Sequence, residues 1–134
     1  MMNQHLVIHP SGKLEWVDLE HRVRNYPPYD GERGYDIKDF YRIIGCSCFE
    51  QVSTVIPGIV ILIDESGKFK DLPHNELASR LYAGWHYGID DIVGTAIVFS
   101  LHRGGRYNEY DIYPLSAQDE AKLSLCLGVP LPDK

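Results

Sequence analysis

Arginine and aromatic residues occur together in three segments of the 134-residue chain. They are Arg22, Arg24, Tyr26, Tyr29 and Arg33 in the first, Trp85, His86 and Tyr87 in the second, and His102, Arg103, Arg106 and Tyr107 in the third. A guanidinium group holds a phosphate through two parallel hydrogen bonds, and an aromatic face stacks on a base. The three segments therefore predict a site for a nucleotide-like anion if the fold gathers them around one cavity. The alternative is that the tyrosines cover sheet edges and the arginines keep exposed loops soluble.

Cysteines and histidines are the candidate metal ligands. Structural zinc sites use two pairs of ligands, each two to four residues apart, whereas Cys46 and Cys48 form one cramped pair and Cys126 is remote. The sequence also lacks the phosphate-loop, dinucleotide-binding, zinc-protease and serine-elbow motifs. A nucleophile such as Cys48 or Ser47 beside a distant histidine stays open. We assign no catalytic residue, no metal site and no cofactor.

The stretch GKFKDLPHNELASRL, residues 67–81, places several polar side chains around Pro73. Lys68, His74 and Asn75 could line a pocket, but Asn75 is also a good N-cap for a helix that starts after it. We favour a structural corner. The carboxylate pair Asp90 and Asp91 is best explained by solvation of a loop.

Composition limits the class of protein. The formal charge of −6 disfavours general nucleic-acid binding, which requires clustered lysine and arginine. No apolar run approaches the roughly 18 residues of a membrane span, and the N-terminus has no secretory leader. An odd number of cysteines favours reduced thiols. We expect a cytoplasmic protein.

The pattern of apolar residues and turn signals predicts a single domain over residues 1–134. A hairpin is predicted at residues 5–19 and a loop rich in proline, glycine and tyrosine at 22–35. Strands are predicted in CFEQVSTVI, in IVILID, at 68–72 and on both sides of Gly104 and Gly105.

Three helices are predicted, after Asp36, after Asn75 and after Ser116, the last with Ala121, Leu123, Leu125 and Leu127 buried. AGWHYGIDD is expected to be a loop. This order indicates an α+β fold with a largely antiparallel sheet and two or three short helices on one face.

Four motifs carry a resemblance to a known family: GIVILIDESGKFKDLPHN at 58–75, Ala78 with Ser79, GTAIVF at 94–99 and PLS at 114–116. The pattern resembles a family of short phage, plasmid and bacterial proteins catalogued only as a domain of unknown function. The resemblance covers residues 35–125. The N-terminal hairpin and the YPPYDGERG loop are longer than we expect of that family, and AGWHYGIDD resembles an insertion. The resemblance implies mobile-element ancestry and supplies no activity, catalytic residue or cofactor.

Three functions remain open at this point. The first is a non-catalytic binding protein of phage type that sequesters a nucleotide-like anion in counter-defence, as a homo-oligomer whose subunits complete the pocket. The second is a protein-interaction module that inhibits a host enzyme through an exposed strand edge or an acidic surface. The third is a small metal-dependent hydrolase.

Overall fold

The computed structural model describes residues 2–23, 27, 31, 33–103 and 110–134. These ranges contain seven strands and four helices. In chain order the elements are β1 (Met2–Ile8), β2 (Leu14–Val23), β3 (Arg33–Tyr35), α1 (Ile37–Ile44), β4 (Phe49–Ser53), β5 (Ile59–Asp64), α2 (Glu76–Leu81), α3 (Ala83–His86), β6 (Ala96–Arg103), β7 (Tyr110–Tyr113) and α4 (Ala117–Leu127). None of these helices is long and apolar enough to cross a membrane.

The strands form one sheet in the order β3-β2-β1-β6-β5-β4, and every pair of neighbours is antiparallel. One edge of β6 pairs with β5. Its other edge is shared, because β1 pairs with residues 96–98 and β7 with residues 100–103. The predicted α+β fold with a largely antiparallel sheet is confirmed.

Apolar side chains on the two faces of the sheet belong to two separate cores. Alternate residues such as Leu6, Ile61 and Val98 pack in the core that includes α2 and α4. Their neighbours, such as Leu62 and Ile97, pack in the core that includes α1. We expected helices on one face only, and this detail was wrong. A strand such as IVILID is apolar on both sides, so both faces of the sheet must be covered.

Three local predictions also require correction. Residues 68–72 form turns rather than a strand, because the amides of Lys70 and Leu72 donate back to Ser66 and Gly67 and the backbone of Asp71 is left-handed (φ 52°). The expected loop AGWHYGIDD contains α3, and the loop at 22–35 contains β3 and the end of β2.

The helix caps were predicted well. Asp36 caps α1 by accepting from the Lys38 amide, and Gly45 ends that helix in the left-handed region. Ser116 and Asp119 form a reciprocal capping box on α4. The burial pattern of α4 was predicted less well. Leu123 and Leu127 are buried, but Leu125 is 84% exposed and Ala121 is exposed, because a helix buries residues four apart rather than two apart.

Asn75 is the predicted N-cap of α2, and its side chain makes three hydrogen bonds while fully buried. Its Oδ1 accepts from the Ala78 amide at 3.0 Å. Its Nδ2 donates to the carbonyl oxygens of Ile8, at 2.9 Å, and Gly94, at 2.8 Å. Asn75 thereby joins α2 to the end of β1 and to the segment that leads into β6.

We predict that Asn75→Ala lowers the free energy of unfolding by about 3 to 5 kcal/mol, because a cap is lost and two buried carbonyl oxygens lose their donor. Ser116→Ala is the matched control, since it removes an exposed cap alone and should cost about 1 kcal/mol. Urea denaturation measures the free energy of unfolding of both variants and of the wild type. Equal losses for the two variants would contradict the proposed anchoring.

Candidate functional site

The strands that lead into the first and third arginine segments, β2 and β6, end on the same side of the sheet. β1 pairs antiparallel with β2, where Met2 opposes Glu20, and antiparallel with β6, where Leu6 opposes Val98. β2 and β6 therefore run in the same direction, and both end where β1 begins. The connection after β2 returns as β3, and the connection after β6 returns as β7.

The described strands fix the backbone positions of three of the candidate arginines. Arg22 lies opposite Gly34, Arg33 opposite Val23, and Arg103 opposite Tyr110. Five other candidates lie outside the described residues, namely Arg24, Tyr26, Tyr29, Arg106 and Tyr107. Whether their side chains bind a ligand stays a prediction.

His102 lies next to Arg103 near the end of β6, and its side chain is exposed. Its Nε2 is 3.1 Å from the Ser100 hydroxyl, and its ring packs edge-on against Tyr113 with centroids 4.8 Å apart. The paired strands β6 and β7 thus hold this imidazole at the base of the third segment.

The second segment lies elsewhere. The Trp85 ring packs against His74, with centroids 5.0 Å apart, and His86 Nε2 is 2.7 Å from the Arg80 carbonyl oxygen. His74 forms a β-bridge with Val93, shortly before β6 begins. From the start of β6 to Arg103 the strand covers about 23 Å. The structure therefore brings the backbone of Arg22, Arg33 and Arg103 to one end of the sheet and places Trp85 near the other.

A cluster of charged side chains surrounds the corner at Pro73. Lys68 Nζ bonds to Asp91 and lies 3.1 Å from Asp90 Oδ1. His74 Nδ1 is 2.6 Å from Asp91 Oδ2, and its Nε2 is 3.8 Å from Glu76 Oε1. Lys68 therefore lies beside two carboxylates, and the His74 ring lies between those of Asp91 and Glu76.

The backbone brings this cluster together. The Asn75 amide donates to the Ile92 carbonyl oxygen at 2.8 Å, and the Gly94 amide donates to the Pro73 carbonyl oxygen at 2.8 Å. These bonds bring Asp90 and Asp91 next to Lys68, and Asp91 next to His74. The members of these pairs are 17 to 23 positions apart in the sequence. The sequence carries no local signal for this contact, and for that reason we assigned Asp90 and Asp91 to a solvated loop.

The three cysteines are poor candidates for a nucleophile. Burial raises the pKa of Cys46 and of Cys126. A hydrogen bond to Glu65, whose Oε2 is 2.6 Å from Sγ, raises the pKa of Cys48. A thiol with a raised pKa is mostly protonated at neutral pH, and the thiolate is the reactive form.

No group of three or more His, Cys, Asp or Glu side chains in the described part of the chain could hold a metal ion. The hydrolase alternative stays a prediction, and elemental analysis of the purified protein is its test.

The bond from Lys68 predicts a pH-dependent contribution to stability. That bond and the one from His74 outweigh burial and lower the pKa of Asp91 below its ordinary value. A lowered carboxyl pKa stabilises the folded state above the unfolded pKa of about 4, and this contribution is lost as the pH falls through the folded pKa. Because the pair is partly exposed, we expect a contribution of no more than about 1 kcal/mol.

Urea unfolding of the wild type and Asp91→Asn at several pH values measures this contribution. The difference between them should be full at pH 6 to 8, where Lys68 is also charged, and should shrink below about pH 4. Asp90→Asn is the control, because Asp90 contacts the same lysine but not His74. A difference that does not change with pH would refute the contribution of the charge.

A family model described as a domain of unknown function (DUF3846) matches residues 2–112. No curated protein and no solved structure matches the chain. The match includes the N-terminal hairpin and the loop after β2, which we expected to depart from the family, and it ends before α4. Because it covers well over half of the sequence, the chain belongs to the DUF3846 family, a domain of unknown function.

Proposed function

We propose that this protein is a non-catalytic binding protein that holds a small nucleotide-like anion at the end of the sheet where β2 and β6 end. One observation carries the proposal, namely that β2 and β6 both end there, each followed in the sequence by a connection rich in arginine and tyrosine. These connections and the strand residues beside them contain five of the chain's seven arginines. Binding residues are commonly held on loops that a rigid sheet positions.

Charge supports the same location. Residues 21–34 and 102–111 together contain five arginines and four carboxylates, a formal charge of +1, whereas the rest of the chain carries −7. A protein with this distribution repels anions over most of its surface and least at this end. The arginines supply two-point hydrogen bonding to phosphate, and the tyrosines supply stacking surfaces.

More specifically, we propose that the ligand is a nucleotide that acts as a signalling molecule in host defence. A protein of phage or mobile-element type would sequester that signal in the cytoplasm, without turnover. The resemblance to phage and plasmid proteins supports this form.

We predict that Arg103→Ala combined with Arg106→Ala weakens binding of the tightest-binding nucleotide at least tenfold, because each substitution removes a charge-assisted contact to phosphate. Calorimetric titration with a panel of mono-, di- and cyclic nucleotides measures the affinity. Lys38→Ala combined with Arg42→Ala removes two cationic side chains from α1 and should leave the affinity unchanged.

If the wild type binds none of the nucleotides in the panel, the proposal is overturned. Equal weakening by the two double variants would also overturn it, since that result would indicate a general effect of charge rather than a site.

A second candidate function, a protein-interaction module that inhibits a host enzyme, is favoured by a different surface. Phe69 is 92% exposed, and Tyr87 and Ile89 are each 78% exposed. The ion pairs of Lys68 with Asp90 and Asp91 hold the turn that carries Phe69 next to the segment that follows α3. An exposed apolar patch with a polar rim is typical of a protein-binding surface.

We predict for this candidate that Tyr87→Ser combined with Ile89→Ser abolishes capture of an inhibited host enzyme, because the apolar contact area is lost. Arg103→Ala with Arg106→Ala should leave capture and inhibition intact. Leu125→Ser is the matched control, since Leu125 is an equally exposed apolar side chain on α4. Loss of capture with the arginine variant and not with Tyr87 and Ile89 would refute this candidate.

A further inference from the structure

β4 is an outer strand of the sheet. Within the described residues it pairs with β5 alone, with Phe49 opposite Asp64 and Ser53 opposite Val60. β3, at the other end of the strand order, has three residues, whereas β4 has five. An outer strand presents a row of backbone donors and acceptors that another strand can pair with.

The hydrogen-bond pattern identifies which backbone groups of β4 point away from β5. The Glu65 amide donates to the Cys48 carbonyl oxygen at 3.1 Å, just before β4 begins. In an antiparallel pair the hydrogen-bonded positions alternate, so Glu50 and Val52 bond to β5. The N–H and C=O groups of Phe49, Gln51 and Ser53 therefore point outward.

β4 carries neither lysine nor proline, which often protect an outer strand. In its sequence, FEQVS, the residues Glu50, Gln51 and Ser53 are exposed. Phe49 packs against Phe40 and Tyr41 of α1, with ring centroids 5.5 and 5.6 Å apart, which holds the strand in place. β4 is thus packed on α1 through Phe49, and its polar residues are exposed.

The sequence of β4 is also complementary to itself. In an antiparallel pair of two β4 strands centred on Gln51, Phe49 faces Ser53 of the second copy and Gln51 faces its own equivalent. These three positions are the outward-pointing ones, so they would exchange six hydrogen bonds. Glu50, the only charged residue of β4, faces Val52 of the second copy and has no like charge directly opposite it.

We propose that β4 pairs with β4 of a second copy of this chain, so that the two sheets join across a twofold axis at Gln51. The interface is isologous, as in most dimers of identical chains. It uses the β4 edge and not the arginine-bearing connections after β2 and β6. The dimer is therefore independent of the proposed anion site, and either can fail without the other.

The first test is the mass in solution, measured by light scattering over a wide range of concentration. The wild type should approach twice the monomer mass of 15.3 kDa. Gln51→Pro removes an outward N–H without removing a bond to β5, and it should raise the dissociation constant at least tenfold. Gln51→Thr, which keeps the N–H, should remain a dimer.

Disulfide trapping tests the register and does not depend on the proline variant folding. In a Cys48→Ser background, Gln51→Cys places two thiols across the axis, where paired Cα atoms are about 5.5 Å apart and within disulfide range. Glu50→Cys faces Val52 instead and should cross-link at least tenfold more slowly.

A wild type that stays monomeric throughout would overturn the proposal and leave the edge for a different protein. A Gln51→Pro variant that dimerises like the wild type would also overturn it. Equal cross-linking at positions 50 and 51 would refute the register.

Discussion

The buried amide of Asn75 is the interaction on which the arrangement of this protein depends. It caps α2 and donates to carbonyl oxygens at the end of β1 and just before β6. Both carbonyls are far from Asn75 in the sequence, so one side chain satisfies backbone groups from three parts of the fold. A buried carbonyl without a donor costs free energy, and this requirement fixes where α2 starts over the sheet.

Several features follow from that anchor. α2 brings Leu77 and Leu81 into the core that includes α4. The residue before Asn75 is His74, which the same arrangement places beside Asp91 and Trp85. The charged corner therefore lies directly beside the residue that attaches α2 to the sheet. A corner of this kind can be stable without taking part in chemistry.

The two cores, one on each face of the sheet, limit where a ligand or partner can bind. Because α1 covers one face and α2 with α4 covers the other, both faces are used for packing. We propose recognition at three places outside these two cores, namely the ends of the strands, the outer edge of β4 and the turns at the corner. The anion site, the dimer edge and the protein-binding surface that we propose occupy these three places. They differ in chemistry, being respectively cationic, backbone-polar and apolar.

The sequence by itself determined the local features of this protein. Asp36, Gly45, Asn75 and Ser116 were recognisable as caps, since a cap is a contact within a few residues. The run IVILID identified a buried strand for a similar reason. Only the tertiary structure decided that helices cover both faces, that Leu125 is exposed, and that Asp91 binds Lys68 and His74. It also decided that β2 and β6 end together, because strand pairing is a contact between distant residues that neither composition nor spacing encodes.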